Sequence, residues 1–529
     1  MRDKVYLKPN VLAEPLFNQW YAWPYLISPP AAAMFVANLH LKILQSFVNA
    51  PQVHVSALKN PAMLGGPFVN YDADKVGVIK ELMERTKREQ DHMLRFAEAV
   101  KQLDNTLSDQ ATGYSMEGLY EKAPDVLRGY VELVYDAKNH PSIRFIEGLL
   151  YKSPFYNTAS QSVALSLVTD DRRPFILSTP FVEDERHVTL NLPFDDEGLD
   201  QLFRMKKEPQ LYEHIKEVLG VADEQGELFS SLFTTANGHG PAGYDGDGVR
   251  IRYFGHACLL IESSRTSILC DPLISYDIET GIPRYTYRDL PDVIDYVLIT
   301  HGHQDHCILE SLLQLRHKIR QIVVPRSSGG KLIDPSLKLA LENIGFKNVA
   351  EIDELETIKV GDGAITGIPF LGEHADLDIR TKMAYLVKLK GQTIMCAADS
   401  NNIDPKLYAH VRELSGVVDV VFLGMECDGA PLTWLYGPLL TRSLSRKMDQ
   451  SRRFNGSDCE KALNIIETLG SKRAYVYAMG QEPWLTFLTS IQYTNESRPI
   501  LESDKLVEEC RRRGVEAMRL FGCDEILFA

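Results

Sequence analysis

Between Thr300 and His306 the chain reads Thr-His-Gly-His-Gln-Asp-His, directly after an apolar run at 293–299. Three imidazoles and a carboxylate thus fall at spacings i, i+2, i+4 and i+5, and both groups are ligands for divalent transition metals. A chain leaving a strand through a Gly-containing turn directs two pairs at two adjacent ions: His301 with His303, and Asp305 with His306. A lone histidine is ordinarily a structural residue. Four metal-competent side chains in six positions point to a metal site instead.

The H-x-H-x-D-H pattern resembles the signature of the metallo-β-lactamase superfamily, and the resemblance extends over residues 248–529. It implies an αββα sandwich whose ligands come from loops at strand ends along one edge. The first later strand end, 370–374, places Glu373 beside His374. In an extended segment consecutive side chains point opposite ways, so one of the two reaches the metal. At the second, Asp399 matches the superfamily's metal-bridging aspartate. The third, 475–481, should carry a final histidine, but none occurs after His410. That absence leaves open positions on the second metal, as dioxygen or an exogenous carboxylate requires. With Glu373 as fifth ligand the set is three histidines with Asp305, Glu373 and Asp399, which suits iron better than His-rich zinc sites do. His256, in a Phe-Gly-His-Ala turn, is expected to orient the sheet edge.

These residues need a scaffold. A chain of 529 residues is too long for one core. Residues 1–236 read as an α+β domain: apolar positions from Val76 to Val100 trace one helical face, and Val163, Leu165, Leu167 and then Val188, Leu190, Leu192 alternate as half-buried strands do. The domain has no metal motif of its own. Its expected tasks are shaping the substrate entrance, forming a homodimer or docking a partner. Residues 237–248 are a Gly- and Pro-dense linker. Residues 249–529 form the catalytic domain, an α/β unit with short strands at 249–254, 259–262, 267–270, 293–299, 322–324, 364–370, 385–389, 393–397, 417–424 and 474–477. A Lys390-Gly391 hairpin turn lies among them, as do helices near 308–315, 405–413 and 458–469.

The net charge of −15 excludes a nucleic-acid-binding surface as the main role. No secretory signal opens the sequence, and the apolar stretch 31–48 is interrupted by Asn38, His40, Lys42 and Gln45, an amphipathic helix with no membrane span expected. All eight cysteines lie from Cys258 onward without a CxxC, the usage of a reduced cytoplasmic protein.

A two-domain chain of this length, with Glu in the fifth ligand position and no final histidine, resembles a narrower family across essentially its whole length. These are the di-iron β-hydroxylases of non-ribosomal peptide pathways, typified by chloramphenicol biosynthesis. The resemblance implies that His301, His303 and Glu373 hold one iron, Asp305 and His306 the other, and that Asp399 bridges them. It also implies O2 as co-substrate, an external reductant, and hydroxylation at the β-carbon of an aminoacyl thioester on a carrier domain. In the chloramphenicol pathway that residue is L-p-aminophenylalanine.

Weaker candidates surround this set. Glu426 is either a partner of a ligand histidine, as His374 would also be if Glu373 binds the metal, or an exposed loop acid. Trp434, Tyr436 and Trp484 either line a pocket for an aromatic side chain or pack the core. Arg442, Arg446, Lys447, Arg452 and Arg453 form a basic run that either meets an acidic carrier domain or is a solvated helix face. Two other readings compete: a di-zinc hydrolase of thioesters, amides or phosphodiesters with His374 as ligand, and a docking protein without chemistry.

Overall fold

The computed structural model describes residues 4–236 and 243–528. The catalytic half is built on two seven-stranded sheets. In the first, the order is Val349–Ile352, Ile319–Pro325, Ile294–Leu298, Ser267–Cys270, Cys258–Glu262, Val249–Gly255, Asp524–Phe528. The second runs Thr357–Val360, Gly363–Ile368, Ala384–Leu389, Gln392–Cys396, Val420–Gly424, Arg473–Tyr477, Glu516–Arg519.

Side-chain alternation along each strand sorts residues between layers. Ile251, Leu259 and Ile261 of the first sheet meet Ile365, Val387 and Phe422 of the second in the inner core. Their neighbours Leu260, Leu269 and Val297 face outward, under the helices Leu309–Leu315 and Leu337–Asn343 and a core shared with the N-terminal half. On the second sheet Leu386, Met395 and Val476 lie under Lys406–Ser415, Cys459–Leu469 and Arg498–Arg512. The result is the expected αββα sandwich.

Strand direction positions the chemistry. Ser267–Cys270, Ile294–Leu298, Ile319–Pro325 and Val349–Ile352 run parallel, as do Gln392–Cys396, Val420–Gly424 and Arg473–Tyr477. Loops leaving their carboxyl ends therefore gather at one edge. At the Lys390-Gly391 turn φ is 49° and 85°, the doubly positive pair of a tight hairpin turn.

The N-terminal half is α+β, with a four-stranded sheet ordered Trp20–Tyr21, Val11–Phe17, Gln161–Leu167, Val188–Leu190. Two expectations are corrected here. The helical face at 76–103 belongs to two helices, Val76–Glu89 and Asp91–Gln110, broken at Gln90. Gln161–Leu167 is buried on both faces, Ser162 and Ser166 included, because it is an interior strand covered from two sides. Pro29–Asn49, apolar and long enough to cross a membrane by length alone, packs Ala31 to Val36 into the N-terminal core. Of the segment 237–248, residues 237–242 lie outside the described residues, and 243–248 form neither helix nor strand.

Two arginines join the halves. Arg316 donates to the carbonyl oxygens of Phe194, Asp196 and Ile344 and to Asp200. Arg173 bridges Glu14 of the N-terminal sheet and Glu310 of the Leu309–Leu315 helix.

Candidate metal centre

The loop after Ile294–Leu298 turns His301, His303 and His306 into a buried space at the sandwich edge. His303 Nδ1 lies 2.8 Å from Glu373 Oε1, and His306 Nε2 lies 3.0 Å from Asp399 Oδ2. His301 Nε2 stands between them, 3.9 Å from Glu373 Oε2 and 3.8 Å from Asp399 Oδ2. Three donor groups result, each with its atoms within 4.8 Å: His301, His303, Glu373; His301, His306, Asp399; and His256, Asp305, His306.

Each of the three loop imidazoles is oriented from behind. Thr300 Oγ1 donates to Asp271 Oδ2 at 2.6 Å and accepts from His301 Nδ1 at 3.0 Å. Asp271 also accepts from His306 Nδ1 at 2.9 Å. His303 Nε2 donates to the Tyr436 hydroxyl at 2.7 Å; Tyr436 donates to Tyr25, and Tyr25 to the Ile333 carbonyl at 2.9 Å. With the outer nitrogens held by these partners, a bound metal would select the tautomers that leave His301 Nε2, His303 Nδ1 and His306 Nε2 as the inward ligand atoms. Tyr25 belongs to the N-terminal half, which thereby helps to orient a metal-facing histidine.

The donor set fits a pair of cations. His301 Nε2, His306 Nε2 and Glu373 Oε2 are buried without a hydrogen-bond partner, a costly condition that a bound cation relieves. Against the cost of burial, Asp399, Asp305 and Asp271 push His306 well above the ordinary histidine value. Likewise, despite its burial, His303 and His374 hold Glu373 well below the carboxylate range. Three carboxylates converge here, and two divalent ions would leave about one positive charge.

His256 behaves differently from the loop histidines. Its Nδ1 accepts the Gly480 N–H at 3.2 Å, which puts the ring proton on Nε2, 3.4 Å from Asp305 Oδ2. Through Nδ1 it ties the 255–257 turn to Gly480, while Nε2 is buried without a hydrogen-bond partner and falls in the donor group of Asp305 and His306. His374 Nδ1 is 2.7 Å from Glu373 Oε2 but off the line of a good hydrogen bond, and it belongs to none of the three donor groups.

A cavity of about 670 Å³ opens over His303, Asp305, Glu373 and Asp399. Met63, Leu64 and Phe68 of the N-terminal half and Trp434, Leu435 and Phe454 of the catalytic half make its apolar wall. Trp434 Nε1 donates to the Gly65 carbonyl at 2.9 Å across the seam. Glu426 lines the cavity and touches no histidine; burial, with Asp428 and Asp399 adding to it, pushes its carboxyl up to about 7. Tyr436 is fully buried behind His303, outside the lining. Trp484 is also outside it, held under the Arg284 guanidinium at 4.2 Å. Arg442, Arg446 and Lys447 are exposed, whereas Arg452 donates to the Ala375 carbonyl and Arg453 to Gln450.

Two orienting residues escaped the sequence reading. Asp271 belongs to no motif, although an acid at a carboxyl strand end on the ligand edge is a usable signal. For Tyr25, 278 positions from His303, no local signal exists. Tyr436→Phe leaves the His303 Nε2–H without its acceptor, and the expected result is a loss of iron affinity of about 10–100-fold with little change in fold. Iron titration of the apoprotein checks this, and unchanged affinity would reject the tyrosine relay.

The fold and the site define a metallo-β-lactamase-fold metalloenzyme with two adjacent cation positions. Residues 6–237 match the diiron non-heme beta-hydroxylase N-terminal domain, and residues 250–430 match the beta-lactamase superfamily domain. The chain is 36% identical over 525 residues, 97% of its own length and 98% of the relative's, to the 4-amino-L-phenylalanyl-[CmlP-peptidyl-carrier-protein] 3-hydroxylase of Streptomyces venezuelae. The crystal structure of CmlA, a diiron beta-hydroxylase from the same species, superimposes with a TM-score of 0.93 at 35% identity, covering 100% of both chains. A metal-dependent hydrolase of Rhizobium johnstonii shares 38% identity over 61 residues, 11% of this chain and 24% of that one. The chain belongs to the di-iron non-haem β-hydroxylase family.

Proposed function

We propose that this enzyme hydroxylates the β-carbon of an amino acid held as a thioester on the carrier domain of a non-ribosomal peptide synthetase, in the cytoplasm. His301, His303 and Glu373 would hold one iron and Asp305 and His306 the other, with Asp399 available to both. The observation that carries this reading is the cluster of His301 Nε2, His306 Nε2 and Glu373 Oε2, buried without hydrogen-bond partners beneath an apolar cavity that His303, Asp305, Glu373 and Asp399 line. A di-iron cluster supplies O2 activation and attack on a C–H bond, chemistry no side chain provides. The balance is R–H + O2 + 2e⁻ + 2H⁺ → R–OH + H2O.

The chain's own residues do the rest. Thr300, Asp271 and Tyr436 fix the imidazole tautomers. Met63, Phe68, Leu435 and Phe454 keep water from the carbon being attacked, and Trp434, immobilised by Gly65, offers a face to a flat side chain. An aromatic residue such as the L-p-aminophenylalanine of the relative suits that wall. Glu426 Oε2, unpartnered and facing the cavity, can hold a proton near neutral pH.

The carrier domain docks at the mouth. The Arg446–Ser451 helix carries Arg446 and Lys447 and is tied to the cavity wall by Asp449, which accepts from Thr433 N and Oγ1, each at 2.9 Å. Reversing both charges, Arg446→Glu/Lys447→Glu, is expected to lower kcat/KM for the carrier-bound substrate about tenfold at low salt and less at high salt. An equal turnover at both salt concentrations would remove this surface from the proposal.

The whole reading is tested by expressing the protein with iron and zinc both present. Two irons per chain in a coupled Mössbauer signal, followed by O2 uptake that depends on an aminoacyl-loaded carrier, is the expected result. Two zincs and no iron signal would return the chain to the hydrolase reading, with His374 as ligand.

A further inference from the structure

The reaction needs two electrons from outside, and the cavity mouth is taken by the substrate carrier. A second surface stands out by its charge. In a chain of net charge −15, one groove of about 550 Å³ is lined by Arg204, Lys206, Lys207, Lys318 and Arg320 with His317, against Glu208 and Asp292 alone. An adjoining groove shares Lys206, Lys207 and Tyr287 with it and adds Lys8 and Arg288.

Part of this charge is paired: Lys207 with Asp292 and Arg320 with Asp295, each at 2.6 Å, and Arg288 with Asp277 at 2.7 Å. Among the described residues, Arg204, Lys206 and Lys318 form no ion pair. Lys206 Nζ is covered and without a hydrogen-bond partner, resting 4.2 Å over the Tyr287 ring, and Lys318 Nζ donates only to the Pro291 carbonyl, at 2.6 Å. Burial above all, with Arg288 and Lys207 respectively and against the pull of Glu310 and Asp292, pushes both ammoniums down to about 7, so Arg204, Lys207 and Arg320 carry the fixed charge of the groove.

Its place in the fold supplies the second argument. Lys318 and Arg320 sit at the amino end of Ile319–Pro325, whose seven residues span roughly 20 Å, while the metal loops leave the carboxyl ends. A protein bound here leaves the cavity mouth free. Yet the patch is close to the metal ligands through the helix Leu309–Leu315, which begins three residues after His306 and rises roughly 10 Å. Tyr287, in the wall of both grooves, packs against Tyr276 at 5.9 Å between ring centres. The Tyr276 hydroxyl donates to Glu310 at 2.7 Å and accepts from Gln314 at 3.0 Å, both on that helix. Densely packed protein therefore fills the short route from patch to ligand loop.

We propose that the Arg204, Lys206, Lys318, Arg320 face docks the electron donor, a small acidic iron–sulfur or flavin protein, while the carrier domain occupies the cavity mouth. The proposal rests on the di-iron reading above, which fails separately if the purified protein holds no iron.

The test follows reduction of the oxidised iron-loaded protein by stopped-flow absorbance, with a reduced acidic [2Fe–2S] ferredoxin or, in parallel, a reduced flavodoxin. Arg204→Glu/Arg320→Glu, both exposed, should lower the second-order rate with the acidic donor by about tenfold or more and flatten its salt dependence. Reduction by dithionite, and carrier-dependent turnover driven by dithionite, should not change. Arg446→Glu/Lys447→Glu should leave the donor rate untouched. Any of four results would overturn the proposal: an unaltered donor rate; no reduction of the wild type by either donor; slowed carrier-dependent turnover under dithionite, which would make this the carrier's surface; or inorganic pyrophosphate bound by the wild type alone without competing with ferredoxin, which would make it a small-anion site.

Discussion

Asp399→Ala is expected to empty the centre. Asp399 is the one carboxylate within 4 Å of both His306 Nε2 and His301 Nε2, at 3.0 and 3.8 Å, so its two oxygens can serve both cation positions. Without it His306 keeps a single acidic neighbour, Asp305, on the metal side. Loss of an outer partner of a metal ligand commonly costs 10–100-fold, and loss of a ligand shared by two ions should exceed that, on the order of 10³-fold in hydroxylation. Iron per chain should fall from two to one or none, and the coupled Mössbauer signal should vanish. Gly424 makes the position stringent: a Cβ there would stand 2.8 Å from Asp399 Oδ1. A variant that keeps two coupled irons would refute the bridging assignment.

Arg173→Ala is the second large effect, and it acts on stability. The guanidinium joins Glu14 and Glu310 with only 13% of its side chain exposed, and it lies 3.6 Å from the Phe487 ring centre. Truncation leaves two acids buried at the domain seam without a counter-charge, which costs about 3–5 kcal/mol. The thermal midpoint and the urea midpoint should both fall, with iron content at low temperature unaffected. Arg173→Met/Glu310→Met removes one of the two stranded charges, the more deeply buried, and should recover part of the loss. If the double variant is no better than the single one, packing over Phe487 rather than charge holds the seam.

The ligand loop was legible because its chemistry is compressed into six positions after an apolar strand. Glu373 against His374 could not be settled by alternation, since the segment is not extended: Gly372, Glu373, Ala375 and Asp376 all have positive φ, from 51° to 81°. That run of left-handed residues folds Glu373 toward His303 and stacks His374 on the same ring at 4.6 Å. The sandwich was legible from its buried strands. Glu516–Arg519 and Asp524–Phe528 were passed over because edge strands carry charge, and Glu516, Arg519, Asp524 and Glu525 break the apolar pattern without alternating. For Tyr436 the sequence leaves pocket and core both open, because an aromatic near a ligand strand carries no mark of which way its hydroxyl points.

The wall shared by Met63, Leu64 and Phe68 with Trp434 and Phe454 divides the labour of selection. The residues proposed to hold the metal all lie beyond residue 300, whereas part of the surface that meets the substrate is drawn from the first 70. Changes in the 61–68 loop can therefore alter which amino acid is accepted while the oxidising centre stays intact. A lineage of such enzymes can diversify its products through one short loop without risking its chemistry.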